Sequence, residues 1–244
     1  QDNGKRVMLI PDYYLYSSKF SLINLGSLPI ITLNTIPLDS VELRFFKRAF
    51  DLIITLFVFV FIISWLFPIV ALLIKLTSEG PVFFVQERWG MNSNKILCYK
   101  FRTMYYKANN EIDTNGNFRP TEKNDNRITK IGAFLRKHNL DEFPQFYNVL
   151  KGEMSLIGPR PHASLQNIEM KSIINNYNVR HFVNPGITGW AQVNGYRGET
   201  KTIDLMQKRV DYDIWYIENW SFWLDCQIIL QTVINMIKGD KNAY

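Results

Sequence analysis

The residues best suited to chemistry crowd into one segment, Arg136 to Pro161, RKHNLDEFPQFYNVLKGEMSLIGPRP. It carries an acidic pair, Asp141-Glu142. Proline is favoured only in the first turn of a helix, so Pro144 predicts a helix that starts between Asp141 and Phe143 and runs to Leu150. Asp141 would then lie near a positive helix end, a place that favours a charged carboxylate or a bound phosphate. Adjacent helical residues point in different directions, so the two carboxylates could divide the work, one attacking and the other handling a proton or a metal. A solvated helix start is the plainer alternative.

Gly158-Pro159-Arg160-Pro161 follows, with prolines on both sides restricting the backbone around Arg160. That presents the guanidinium fork with little freedom, which suits bidentate binding of phosphate oxygens, although a rigid loop without chemistry has the same composition. Lys100, Arg102 and Arg136 add positive charge on segments that could converge on the same place. The sequence has no Walker motif and no glycine-rich dinucleotide fingerprint, so a phosphate site must be built from arginines, helix ends and a metal. Asp141 with Mg²⁺ is the economical arrangement, and an aspartate can also attack phosphorus itself, forming an acyl-phosphate.

These residues must be positioned by a chain of 244 residues, 47% hydrophobic and 14% aromatic, enough for a sizeable core. Lys and Arg outnumber Asp and Glu by 28 to 22, a net charge of +6, which favours phosphate-bearing partners, nucleic acid or an anionic membrane surface. Cys98 and Cys226 match neither a disulfide framework nor a zinc site. The scattered His138, His162 and His181 make a histidine metal centre improbable on spacing. A reducing, cytosol-facing environment fits this usage.

Leu52 to Ile74 is a run of 23 residues without a charge, which as a helix would reach about 35 Å, membrane length. Pro68 lies inside it and should bend or break the helix. Arg44, Lys47 and Arg48 precede the run, while Lys75, Arg88, Lys95, Lys100 and Arg102 follow it, so both flanks read as cytoplasmic. A re-entrant hairpin broken at Pro68 is favoured, with a simple span as the competitor.

Before the run, RVMLIPD and LPIITLNTIPLD read as strands separated by a polar stretch. Residues 1–40 are expected to be the tail of an upstream domain or a linker, 41–78 the membrane hairpin and 79–244 a cytosol-facing catalytic domain. PVFFVQERWG and KILCYKFRTM read as a strand pair, and Asn109 to Asn126 as a long surface loop. Ile131 to Leu150 and Ser164 to Tyr177 have helical spacing. Asp204 to Lys238 reads as one helix whose Tyr212, Trp215, Tyr216, Trp220 and Trp223 suit either a bilayer interface or a core. The fold class is thus mixed α/β and membrane-associated: a hairpin, a small antiparallel strand element and several helices, some amphipathic and interfacial.

The ordered blocks KRAFD, GPVFFVQERWG, KFRTM, LDEFPQFYNVLKGEMSLIGPRP, NPGITGWAQVNGYRGET and YIENWSFWLD resemble the bacterial sugar transferase family of monotopic polyprenyl-phosphate phosphoglycosyl transferases, across Arg44 to Tyr244. The resemblance implies a re-entrant helix-break-helix and a bacterial inner membrane location with catalysis facing the cytosol. It implies that Asp141 attacks the β-phosphorus of a UDP-sugar and releases UMP, that Glu142 assists transfer to undecaprenyl phosphate, and that Mg²⁺, or Mn²⁺ in its place, sits near Asp141. Arg160 with Pro161 would grip phosphate. Membrane lipids are implied partners and nucleic acid is not; a homodimer stays open. RGET at Arg197 to Thr200 and the terminal NAY look like the branch that transfers glucose-1-phosphate, in exopolysaccharide or capsule biosynthesis. Galactose-1-phosphate or another donor, or a membrane-tethered module that binds anionic ligands, are the alternatives. Phe67 stands where the family usually has Ser before the hairpin proline, and His138, Phe143 and Glu153 replace commoner residues.

Overall fold

In the computed structural model the described residues are 20–25, 28–33, 36–106, 125–198 and 202–238. The expected strand RVMLIPD, most of the Asn109 to Asn126 loop, Glu199, Thr200 and the terminal NAY lie outside them. Two strands, β1 (Phe20–Leu25) and β2 (Leu28–Leu33), pair antiparallel with Phe20 opposite Leu33. Strand β1 falls in what the sequence presents as a polar connector.

Ser40 begins the membrane-length segment by accepting a hydrogen bond from the Leu43 amide at 3.4 Å, a conventional helix N-cap. Helix α1 (Val41–Val58) passes through a wider π turn, Phe59–Ile63, into α2 (Ser64–Thr77). The helical run covers 37 residues with only 22% of its most apolar window buried, so it presents apolar side chains such as Phe57, Phe61, Trp65 and Leu72 outward. Pro68 lies inside α2, and helical structure continues across it; the irregular turn sits one turn earlier. There the Ser64 hydroxyl donates to the Val60 carbonyl at 2.7 Å, a local bond that bends helices. Both ends of the run pack on one globular body. Phe50 and Ile54 of α1 pack on the main core, and Val70 and Ile74 of α2 pack against Phe101 and Leu135. Phe67 itself fills space against Phe101, with ring centroids 4.8 Å apart.

The body begins with the antiparallel hairpin β3 (Phe83–Trp89) and β4 (Lys95–Phe101), as the sequence predicts. Asn92 and Ser93 adopt left-handed backbone at its turn. Helix α3 (Lys130–Lys137) starts at Thr129, whose hydroxyl accepts from the Gly132 amide at 2.9 Å. Gly132 is required by proximity: a Cβ there would lie 1.9 Å from the Thr103 carbonyl oxygen. Asn139, left-handed at φ 57°, turns the chain out of α3 into a single 3-10 turn, Leu140–Glu142. Helix α4 (Gln145–Lys151) follows Pro144 and ends at left-handed Gly152. The acidic pair therefore precedes the helix that the sequence places it in.

Strand β5 (Ser155–Ile157) pairs in parallel with β6 (Gly186–Thr188), a pairing the sequence did not announce because each strand is three residues long. Between them run the Arg160 loop, α5 (Ser164–Lys171) and a 3-10 segment, Tyr177–Phe182. After α6 (Trp190–Val193), the expected single C-terminal helix is two: α7 (Ile203–Glu218) and α8 (Phe222–Lys238), separated at Asn219-Trp220-Ser221. The break lets Trp220 turn inward, where its indole donates to Asp225 at 3.0 Å. The main core joins β4, α4, β5, α7 and α8 through Cys98, Val149, Ile157, Ile217 and Ile228.

Candidate active site

The 3-10 turn delivers Asp141 and Glu142 to the interior, 8% and 5% exposed. Two isolated buried carboxylates would be costly, so their partners decide what they can do. Glu142 is fully engaged: Lys100 from β4 donates to Oε1 at 2.9 Å, and Arg160 closes a fork on both oxygens, with Nη1 3.0 Å from Oε2. Asp141 accepts no hydrogen bond among the described residues, yet shares the field of Lys100, Arg136 and Arg160. Arg136 is itself aimed by a 2.8 Å bond from Nε to the Thr103 hydroxyl.

The pair is split electrostatically. Burial alone would raise Glu142, but Arg160 and Lys100 overcome it and hold the group well below the ordinary glutamate range. Burial, and the neighbouring Glu142 charge, push Asp141 upward against the three cations. The site thus offers one permanently ionised carboxylate used as a clamp and one uncommitted, more basic carboxylate. Such a divergence lets the two carboxylates take different chemical roles.

Of the basic residues picked out in the sequence, Lys100, Arg136 and Arg160 converge on the pair, and Arg102 does not. Arg102 donates to the Glu79 carbonyl, and to that of Ser78 at 2.8 Å, fastening the end of α2 to β4. Pro161 acts through its carbonyl, which accepts from Arg88 of β3. Arg197, singled out in the sequence only within RGET, donates to the Asn139 side chain and bears on Glu142.

Sequence reasoning missed Arg180 and Asp213. Arg180, 3% exposed, donates from Nε to Asp213 at 2.8 Å, from Nη2 to the Arg160 carbonyl at 2.7 Å and from Nη1 to His162 Nδ1 at 3.1 Å. It thereby fixes the backbone that presents Arg160. Spaced 33 residues apart in the chain, Arg180 and Asp213 carry no local signal.

No group of three or more metal-ligating side chains occurs among the described residues. Mg²⁺ does not need one, since it is commonly held by one or two carboxylates together with substrate phosphates and water. Asp141 fits that donor role because its oxygens are uncommitted, whereas Glu142 is occupied by Lys100 and Arg160.

The profile of the family described as Bacterial sugar transferase matches residues 42–239. The UDP-glucose:undecaprenyl-phosphate glucose-1-phosphate transferase of Escherichia coli (strain K12) is 44% identical over 246 residues, which is 100% of this chain and 51% of that protein. The protein of that name in Xanthomonas campestris pv. campestris is 42% identical over 98% of this chain and 48% of its own length. The UDP-N-acetylgalactosamine-undecaprenyl-phosphate N-acetylgalactosaminephosphotransferase of Aeromonas hydrophila is 39% identical over 80% of this chain and 44% of its own. The chain therefore spans about half the length of these curated relatives. With its profile matched from the start of α1 through the end of α8, this chain belongs to the bacterial sugar transferase family.

Proposed function

We propose that this chain transfers a sugar-1-phosphate, preferentially glucose-1-phosphate, from a UDP-sugar to undecaprenyl phosphate. The observation that carries the reading is the buried Asp141 carboxylate, unengaged beside a clamped Glu142 and surrounded by Lys100, Arg136 and Arg160. Cations so placed neutralise the oxygens of a phosphoryl group, while a free carboxylate is the nucleophile such a group needs.

In this reading an Asp141 oxygen attacks the β-phosphorus of the donor. The Asp141 O–P bond forms, the bond from that phosphorus to the bridging oxygen breaks, and UMP leaves with the electron pair. An oxygen of undecaprenyl phosphate then attacks the same phosphorus, and Asp141 leaves as carboxylate. Glu142 serves by holding Lys100 and Arg160 in place; a carboxylate held so strongly ionised is a poor proton acceptor. Asp141 is the side chain that would hold Mg²⁺, or Mn²⁺, and the ion would supply charge neutralisation as the UMP phosphate departs. The relatives' names support glucose, and the Aeromonas relative shows that the same family scaffold serves another sugar.

The membrane part is read as re-entrant, with the catalytic body on the cytosolic face of the bacterial inner membrane. Both ends of the α1–α2 run pack on the same body, and basic residues flank both ends. The step would be the first membrane reaction of exopolysaccharide or capsule assembly. UMP release from UDP-glucose by purified protein with Mg²⁺ tests the reading, with UDP-galactose, UDP-N-acetylgalactosamine and Asp141→Asn beside it. Turnover that requires undecaprenyl phosphate and prefers UDP-glucose is expected. Undiminished turnover by Asp141→Asn would overturn the mechanism, and preference for another sugar would overturn the donor alone.

A further inference from the structure

The two displacements proposed above act on one phosphorus. In the first, the Asp141 oxygen enters and the UMP phosphate leaves with the bridging electron pair. In the second, an oxygen of the lipid phosphate enters and Asp141 leaves as carboxylate. An in-line displacement sets the entering and leaving groups on opposite sides of the phosphorus. Asp141 takes one of those two places in both steps. The UMP phosphate and the lipid phosphate must therefore occupy, in turn, the same place across the phosphorus from Asp141. Whatever cation serves that place meets two substrates, one soluble and one anchored in lipid.

Of the three cations that act on Asp141, two are already drawn onto its neighbour. Lys100 and both terminal nitrogens of Arg160 donate to Glu142. Arg136 differs. Its Nε is fixed by the Thr103 hydroxyl at 2.8 Å, while among the described residues Nη1 and Nη2 have no hydrogen-bond partner. The residue is half-buried, so its side chain is not sealed into the core. A planar fork aimed through Nε, with both terminal nitrogens unengaged, matches two oxygens of one phosphate.

The setting of Arg136 points it at the lipid as well as the nucleotide. It lies at the end of α3, and the preceding residue, Leu135, is buried in a cluster with Val70 and Ile74 of α2. Leu140 and Phe143, on either side of the acidic pair, pack on that same cluster. The long apolar run is therefore the immediate neighbour of both Arg136 and the acidic turn. A phosphate carried on a polyprenyl chain that lies along this run reaches Arg136 without crossing the body.

We propose that Arg136 is a substrate-binding residue shared by the two half-reactions: its Nη1 and Nη2 hold the UMP phosphate as it departs, and then the undecaprenyl phosphate that arrives along α2. The inference rests on the covalent reading of Asp141, and it adds the residue at which one phosphate replaces the other. Two occupants of one place exclude each other, so UMP competes with a lipid that resembles it only in its phosphate.

The test uses the full chain in lipid nanodiscs and follows two reactions: exchange of labelled UMP into UDP-glucose without acceptor, and transfer to undecaprenyl phosphate. Wild type is compared with Arg136→Gln and with Thr103→Val, which keeps the guanidinium and removes the bond that aims it. In the wild type, UMP should raise the KM for undecaprenyl phosphate without lowering the limiting rate. In Arg136→Gln, the KM for UMP in exchange and for undecaprenyl phosphate in transfer should rise together by about tenfold or more, the effect of losing hydrogen bonds to a charged group. Thr103→Val should move both in the same direction by less. A merely structural role would lower the amount of active protein and leave both KM values where they were, which would overturn the assignment. A rise for one substrate alone would overturn the sharing and leave Arg136 to that substrate. Wild-type protein that transfers phosphoglucose without exchanging UMP would sink the covalent reading itself.

Discussion

Asp141 and Glu142 share a turn and differ in almost every physical respect. Replacing Asp141 by Asn removes no hydrogen bond that the fold uses and takes away a charge that burial and Glu142 disfavour. Asp141→Asn should therefore melt at or above the wild-type temperature at neutral pH while losing at least ~10³-fold in turnover, as expected for removal of a nucleophile. If Asp141 attacks as proposed, it does so ionised, and because its pKa is raised, turnover should fall as pH drops through a value above the ordinary aspartate 3.8. Glu142 has the opposite sign. Its folded value lies below the unfolded one, so its ion pairs stabilise above about 4.5 and that contribution is lost as pH falls further. Glu142→Gln should destabilise the fold by about 3 kcal/mol at neutral pH, and the gap in melting temperature should close under acid. A gap that stays constant from neutral pH down through that range would show that Lys100 and Arg160 do not depend on the Glu142 charge. The pair and Arg160 were legible in the sequence because short-range proline and glycine restraints set them. The sequence raised a division of labour between the two carboxylates but not that Glu142 is taken up as a clamp, because Lys100 and Arg160 reach the turn from other elements.

At the scale of elements, the fastening of α1 to the body is a buried polar network. Lys47 donates to Asp225 of α8 at 2.7 Å and to the Tyr216 hydroxyl at 3.2 Å, while Asp51 accepts from the Ser155 hydroxyl at 2.7 Å and the Leu156 amide at 3.2 Å. Strand β5 leads directly into the Arg160 loop, so α1 and that loop share a support. Lys47→Met leaves Asp225 buried without its cation and should cost about 3–5 kcal/mol in denaturant unfolding. Adding Asp225→Asn, which keeps an acceptor for Tyr216 or Trp220, should restore part of it; no restoration would show that the loss is packing and not charge. The strand pair β3–β4 was readable from alternation and a turn. The break between α7 and α8 was overlooked: Asn219 and Trp220 are no helix breakers, and the signals present are local and subtle, the Ser221 hydroxyl accepting from the Leu224 amide at 3.2 Å and the Trp220 indole donating to Asp225 five residues on. Pro68 misled in the other direction, since the helix accommodates it and places its irregular turn at Phe59–Ile63.

For the whole molecule, a long outward-facing apolar helix whose two ends pack on one body constrains topology more than hydropathy does. Single cysteines at Arg44 and Lys75, both exposed, in a background without Cys98 and Cys226, should react with an impermeant thiol reagent from the same side of sealed inverted vesicles. Reaction from opposite sides would establish a simple span. Family membership and the acidic turn come from blocks strung along the whole sequence, whereas the packing of both helix ends on the body needed the folded chain. The central claim is that Asp141 carries the phosphosugar between donor and acceptor. Intact-protein mass spectrometry after incubation with UDP-glucose and Mg²⁺, without undecaprenyl phosphate, tests it most directly. The account predicts one added phosphoglucose per chain, mapped to the peptide containing Asp141 and discharged on adding undecaprenyl phosphate. An unmodified protein that still turns over when acceptor is supplied would contradict it.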